Sequence, residues 1–298
     1  MTVKKMHADE VATDADLIRR LLAAQFPQWA GLPIEPVASA GTDNALYRLG
    51  DDLAVRMPRI HWAAGQVEKE ARWLPEFAPR LPLAIPAPLA VGEPGEGYPW
   101  RWGVYRWLNG ETVHPDRLDD PIDLARELAR FVNALHAIDA SGGPGPGDHN
   151  SGRGRPLIDR DASTHTALDS LRDEIDIEAA TALWDAAHAA PIWDRPPVWV
   201  HGDLQAGNLL AADGRLSAVI DFGCLGVGDP AVDLLPAWNL LSGAARDAFR
   251  AELNVDDPTW RRGQGWALSV AAIALPYYRD TNPTLAGSSR RVFAALLG

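Results

Sequence analysis

The 298-residue chain has one cysteine, Cys224, so an internal disulfide is excluded. No apolar run is long enough to span a bilayer, and no membrane partner is expected. Positive charge is scarce: 28 basic residues stand against 40 acidic ones. The resulting net charge of -12 argues against a nucleic-acid partner. The segment Met1-Thr2-Val3-Lys4-Lys5-Met6-His7-Ala8-Asp9-Glu10 turns acidic where a signal peptide carries an apolar stretch, so the expected location is the cytoplasm. No internal repeat is found. What is present is ordinary for a globular protein, with 47% hydrophobic and 23% charged residues. The length suits two lobes or two domains better than a single core.

The shortage of positive charge is uneven. Residues 1–109 hold 13 acidic and 12 basic side chains, a net of -1, whereas residues 110–298 hold 27 and 16, a net of -11. Such an excess serves solubility, or it draws a cationic ligand to the C-terminal part. The composition leaves both open.

Hydrophobic periodicity divides the chain in the same place. Residues 14–26 read as an amphipathic helix with Leu17, Leu21 and Leu22 on one face and Asp14 and Asp16 at its N-terminus. Residues 45–49 and 53–57 alternate like strands around Gly50-Asp51-Asp52, which predicts a hairpin. A helix is expected over 64–78 and strands over 88–92 and 102–107. After Asn109-Gly110 the pattern turns helical, first over 122–138, with Leu124, Leu128, Phe131, Val132 and Leu135 on one side. Residues 141–156, rich in Gly and Pro, read as a flexible loop, and 163–188 as one helix. Val198-Trp199-Val200 reads as a strand, 209–210 and 218–220 as a hairpin around Asp213-Gly214, and 229–297 as mostly helix. The expected architecture is α+β and two-lobed: a small N-terminal sheet lobe and a larger, mainly helical lobe.

The chemistry concentrates in His201-Gly202-Asp203-Leu204-Gln205-Ala206-Gly207-Asn208, followed by Ile220-Asp221-Phe222-Gly223. The Asp lies two residues after the His, the Asn seven after it, and the second Asp thirteen after the Asn. This is the order and spacing of a kinase catalytic loop and its magnesium-binding Asp-Phe-Gly. Phosphoryl transfer spreads negative charge over the moving group, so metal ions must neutralise it. The attacking hydroxyl must also be held in line and lose its proton. One carboxylate suits the second task; a carboxylate and an amide oxygen, both hard ligands, suit magnesium.

The run from 198 to 241, including Gly228-Asp229-Pro230-Ala231-Val232-Asp233-Leu234, resembles the aminoglycoside phosphotransferase family, which has a protein-kinase-like fold. The resemblance extends over nearly the whole chain. It implies ATP and Mg²⁺, with Asp203 as base and Asn208 and Asp221 as magnesium ligands. It also implies that His201 is a scaffold residue and that Asp229 and Asp233 brace the catalytic loop. Ser39-Ala40-Gly41-Thr42-Asp43-Asn44 resembles the phosphate-covering loop, which places Ser39 and Asn44 near the nucleotide. Ala134-Leu135-His136-Ala137-Ile138-Asp139 resembles the first large-lobe helix, with His136 expected to be buried and hydrogen-bonded.

The family usually carries a Lys on the second hairpin strand, paired with a helix Glu. Here Arg56 stands at that place, and Glu70 matches the Glu, with Glu68 as the fallback. The implied division is a nucleotide-binding lobe over 1–103, a hinge over 104–110 and a catalytic and acceptor-binding lobe over 111–298. Tyr105 and Trp107 fall at the hinge, where backbone groups would meet adenine. Cys224 reads as a small buried residue. Trp238, Trp266, Tyr277 and Tyr278 fall where the family builds its acceptor pocket, although aromatics at helical spacing are core first.

The resemblance implies a small-molecule hydroxyl acceptor, expected to be an aminoglycoside or another antibiotic-like cation. Carboxylates such as Asp148, Asp169, Asp173, Glu174 and Asp280 are candidates to hold it. Two alternatives stay open. One is a metabolic kinase of the same fold acting on a sugar, amino alcohol or amino acid. The other is a nucleotide-binding pseudokinase, which Arg56 favours and the intact Asp203, Asn208 and Asp221 oppose. A protein kinase is disfavoured by the short segment after Asp221-Phe222-Gly223 and the absence of a following Ala-Pro-Glu.

Overall fold

A computed structural model describes residues 10–37, 41, 43–114 and 120–298. Two compact units emerge, each made of non-contiguous stretches. The first takes residues up to 79, then 84–109 and 218–223; the second takes 80–83, 110–217 and 224–298.

The first unit opens with α1 (Ala15–Gln25). Asp14 caps it by accepting from the Leu17 backbone N–H at 2.7 Å, and Leu17, Ile18, Leu21 and Leu22 form its buried stripe. Strands β1 (Ile34–Pro36), β2 (Asn44–Leu49) and β3 (Leu53–Pro58) precede α2 (Gln66–Phe77), and β4 (Pro88–Gly92) and β5 (Trp102–Arg106) follow it. They form one antiparallel sheet in the order β1-β2-β3-β5-β4. The β2–β3 hairpin turns at Gly50, whose φ of 60° suits a residue without Cβ. Its register sets Leu46 opposite Arg56 and Leu49 opposite Leu53. Alternation buries Ala45, Tyr47 and Leu49 of β2 against α1, together with Val55, Met57, Tyr98, Trp102 and Val104. The segment 218–223 joins this unit through Val219, which donates to the Ala84 carbonyl at 3.0 Å.

The second unit is mainly helical. Its helices are α3 (Pro121–His136), α4 (Asp161–Asp169), α5 (Ile177–His188), α6 (Pro236–Asn239), α7 (Gly243–Glu252), α8 (Asp257–Tyr278) and α9 (Pro283–Leu297). The short strands are β6 (Glu111–Thr112), β7 (Val198–Val200), β8 (Leu209–Ala212), β9 (Arg215–Val219, whose last two residues count with the first unit) and β10 (Gly226–Gly228). They pair as β6-β8-β9 and β7-β10. The long helix α8 carries much of the core, with Trp266, Leu268, Ala271, Ala272 and Leu275 buried.

Three expectations are corrected here. The helix expected over 163–188 is two helices: Ser170 ends α4, and Asp176 starts α5 afresh by accepting from the Ala179 N–H at 3.0 Å. Strands β1, β6 and β10, each two or three residues long, were not foreseen. The 141–156 loop is pinned rather than flexible. Pro144 O accepts from Val227 N (2.8 Å) and Gly154 O from Asp229 N (2.9 Å), while Asn150 is fully buried.

Candidate functional site

In the first unit the site is built around Arg56. Strand β3 buries this side chain, which is 8% exposed, facing α2. One guanidinium nitrogen donates to Glu70 Oε1; Nη2 donates to Gln66 Oε1 at 2.9 Å and to Asp221 Oδ1 at 2.7 Å. The Asn44 amide lies 3.2 Å from Arg56 Nε and 2.9 Å from Nη2, so its oxygen is the end that suits the place. The second oxygen of Glu70 accepts from the Tyr105 hydroxyl at 2.7 Å. Burial works against the charge on Arg56, but Glu70 and Asp221 overturn that and hold the guanidinium above its ordinary pKa. Burial, then Glu70, holds the Tyr105 phenol protonated far above its usual range.

Asp221 sits at φ 63°, a left-handed conformation rare outside Gly and Asn, at the end of the 218–221 run. Its Oδ1 accepts from Arg56, and its side chain remains 42% exposed. Lys69 of α2 donates to the Gly223 carbonyl at 2.7 Å, which holds the following turn.

In the second unit the 201–208 segment hangs on buried Asp233. Its two oxygens accept from the backbone N–H groups of His201 (3.0 Å) and Gly202 (2.7 Å), and His136 Nε2 approaches at 3.1 Å. His201 is fully buried, and its Nδ1 accepts from the Asp203 N–H at 3.2 Å; that contact fixes the tautomer. Gly202 has φ 80°, and a Cβ there would stand 2.9 Å from the Cys224 carbonyl oxygen, so a side chain is excluded. Cys224 itself is partly rather than fully buried. Asp229 caps the next turn through the Ala231 N–H (2.9 Å) and is gripped by Arg262, from Nε at 2.7 Å and Nη2 at 3.1 Å.

This frame presents Asp203, 28% exposed. Its Oδ2 accepts from Gln205 Nε2 and Asn208 Nδ2, both at 3.0 Å. Asn208 Nδ2 also donates to the Asp203 carbonyl at 2.8 Å. That uses the donor end of the amide and orients its oxygen as the end suited to a cation.

The remaining expected residues fall as follows. Ser39 lies outside the described residues. Glu68 pairs with Arg101 at the surface, so Glu70 and not the fallback is the Arg56 partner. The Tyr105 side chain is committed to Glu70, and Trp107 is covered by the Arg48 guanidinium at 4.6 Å. Trp238 and Trp266 are buried, whereas Tyr277 is exposed. Asp169 and Glu174 are already paired, with Arg172 and Arg279. Gln66, Asn239 and Arg153 were not anticipated. Asn239 donates to the Leu204 carbonyl at 2.9 Å, and Arg153 brings Nη2 to 3.9 Å from Asp203 Oδ1.

A small antiparallel sheet unit with a buried Arg–Glu pair, and a helical unit with a clamped His-Gly-Asp loop, define a protein-kinase-like fold. Residues 34–266 match the model of the phosphotransferase enzyme family, and the chain belongs to that family. An aminoglycoside 3'-phosphotransferase of Escherichia coli is 25% identical over 232 residues, 72% of this chain and 74% of its own length. One of Salmonella typhimurium is 26% identical over 175 residues, 55% of this chain and 62% of its own. Among solved structures, the GDP complex of aminoglycoside 2'-phosphotransferase-IIIa superposes with a TM-score of 0.74, at 20% identity, covering 96% of this chain and 99% of that one. Macrolide 2'-phosphotransferase type I superposes with a TM-score of 0.62 at 21% identity, covering 96% and 99%. At such identities these likenesses show the fold. No helix among the described residues is long and apolar enough to cross a membrane.

Proposed function

We propose that this enzyme transfers the γ-phosphoryl group of ATP to a hydroxyl of a small antibiotic-like molecule, with Asp203 as base. The observation that carries the reading is the fixed Asp203 carboxylate. Its Oδ2 is committed to two amide donors, Gln205 and Asn208, and its backbone is locked by His201 and Asp233. A carboxylate held this way can align a hydroxyl and take its proton on Oδ1 as the new O–P bond forms and the bond to the β-phosphate oxygen breaks, releasing ADP. His201 spends Nδ1 as a hydrogen-bond acceptor within the loop, so it serves as scaffold rather than as acid or base.

The donor set fits Mg²⁺, which takes hard oxygen ligands and keeps several waters. Asp221 has one carboxylate oxygen engaged by Arg56, and Asn208 has its amide nitrogen engaged by Asp203. The second carboxylate oxygen of Asp221 and the amide oxygen of Asn208 each suit such an ion. When bound, Mg²⁺ would supply neutralising charge for the phosphates. The reading assigns the nucleotide to the first unit, through Arg56, Glu70 and Asn44, and the acceptor to the second. The relatives' names, together with the net of -11 over residues 110–298, favour an acceptor that carries amino groups.

The test is turnover of a panel of alcohol antibiotics with Mg-ATP, comparing wild type with Asp203→Ala. Loss of a general base costs about 10²–10⁴ in rate. The expected outcome is a loss of that size with ADP affinity unchanged. Near-normal turnover in the variant would overturn the assignment.

A further inference from the structure

Close to Asp203 the second unit gathers hydrogen-bond donors with little to receive them. Arg153 comes from the pinned Gly/Pro-rich loop, and its side chain is 13% exposed. Its Nη2 stands 3.9 Å from Asp203 Oδ1, too far for a hydrogen bond, and its Nε is buried without a partner. The same guanidinium lies 5.8 Å from the ring centre of Trp266, and Trp266 is fully buried with its own Nε1 also unpartnered. Arg160 covers that ring at 4.7 Å. Its Nε donates to Ser269 Oγ at 2.9 Å, and among the described residues no carboxylate pairs with it. Burial, and then the charge of Arg153, push its pKa down to about 9, which leaves it cationic at neutral pH.

The fold goes to some length to keep Arg153 there. Asn150 accepts from Gly147 N (3.0 Å) and donates to the Arg153 carbonyl (3.1 Å), so the backbone is fixed while the side-chain Nε goes unserved. A Cβ on Gly202 would come within 2.9 Å of the Arg153 Cβ, so the bare glycine is what lets this side chain lie on the catalytic loop.

Native proteins leave few buried donors unpaired, and two of them, on Arg153 and on the ring it faces, call for a partner. An ammonium group would meet two guanidinium charges here. A carbonyl or carboxylate oxygen would receive their N–H groups and that of the indole. We propose that Arg153, Arg160 and Trp266 form an oxygen-binding subsite for the acceptor. The acceptor presents carbonyl or carboxylate oxygens next to the reacting hydroxyl and carries any amino group farther away. This rests on the reading of Asp203 as base.

The test uses three alcohols with Mg-ATP: a macrolide lactone, a small hydroxy acid, and kanamycin, which has amino groups and no carbonyl. Trp266→Phe keeps the ring and removes the donor; Arg160→Gln removes the charge. Wild type should prefer an acceptor that bears a carbonyl or carboxylate, and which of the first two is better separates a neutral carbonyl from a carboxylate. Both variants should raise KM for that acceptor by about tenfold, the loss expected when one hydrogen bond is removed. KM for ATP should stay unchanged. Preferred use of kanamycin, or variants that leave every acceptor KM unaltered, overturns the subsite. So does an Arg153→Lys variant that loses acceptor-free ATP hydrolysis in parallel, since that places Arg153 on the phosphoryl group. If wild type neither binds Mg-ATP nor phosphorylates any alcohol, the phosphotransferase reading fails instead. Calorimetric binding of the lactone and the hydroxy acid to wild type and Trp266→Phe then decides the subsite alone: weaker binding to the variant supports it, and equal or absent binding overturns it.

Discussion

Arg56 shows how one residue changes a familiar arrangement. A lysine ammonium is a compact point charge, whereas the planar guanidinium reaches Glu70, Gln66 and Asp221 together. Arg56→Lys should therefore keep the charge and lose part of the network. We expect kcat/KM for ATP to fall on the order of tenfold, the equivalent of one charge-assisted hydrogen bond. Steady-state kinetics at varied ATP measures this, and an unchanged value would show that Arg56 plays no part in nucleotide use. Glu70→Ala addresses the same group through stability. It takes from a buried cation one of its two carboxylate partners and from the Tyr105 hydroxyl its acceptor, a loss on the order of 3 kcal/mol by denaturant titration. A loss under about 1 kcal/mol would mean that Asp221 and Gln66 suffice to hold Arg56.

At the scale of elements, helix caps carry much of the local order, and α8 is the clearest case. Asp256 caps it by accepting from the Thr259 N–H (2.9 Å) and hydroxyl (2.6 Å), and Arg195 adds an ion pair at 2.9 Å. The Thr259 hydroxyl, ahead of the backbone bond and Arg195, holds the Asp256 carboxyl below its usual 3.8. A carboxylate lowered on folding contributes stability that is present above its unfolded pKa and is lost as pH falls through the folded value. Asp256→Ala should cost about 1 kcal/mol at neutral pH, as an N-cap does. The difference from wild type should shrink below about pH 4, where the unfolded carboxylate protonates. Thermal melts at pH 7 and pH 3 measure this, and a pH-independent difference would contradict it.

Elements with strong period or explicit capping residues were legible in the sequence. The strands β2 to β5 and helices α1 to α3 lie within about two residues of expectation, the usual uncertainty of an element boundary. Strand β10 was not legible, because Gly226-Val227-Gly228 has no pattern of its own and exists only by pairing with residues 198–200. The motif residues of the site were legible because the spacing of Asp203, Asn208 and Asp221 is local to one stretch. Arg153 was not. It lies in a loop whose composition signals only turns, and its proximity to Asp203 comes from Asn150 and β10, contacts that no sequence window contains.

At the scale of the whole molecule, charge is the property with a consequence for catalysis. The net of -11 over residues 110–298 makes a field that attracts cations from beyond contact distance. Not all of it is available, since Asp169 and Glu174 are matched by Arg172 and Arg279. Asp148, Asp173 and Asp280 carry no such partner among the described residues. The field acts over the Debye length, which shrinks from roughly 10 Å at 0.1 M salt to roughly 3 Å at 1 M. Direct contacts such as those proposed around Trp266 are screened much less. The two effects can therefore be separated on one acceptor that bears both an amine and carbonyl oxygens. Salt should lower its kcat/KM several-fold by slowing encounter, while the penalty of Trp266→Phe persists at every salt concentration. A neutral acceptor should show the Trp266→Phe penalty without the salt effect. If both acceptors respond to salt alike, the acidic excess of this part of the chain serves solubility and does not steer substrate.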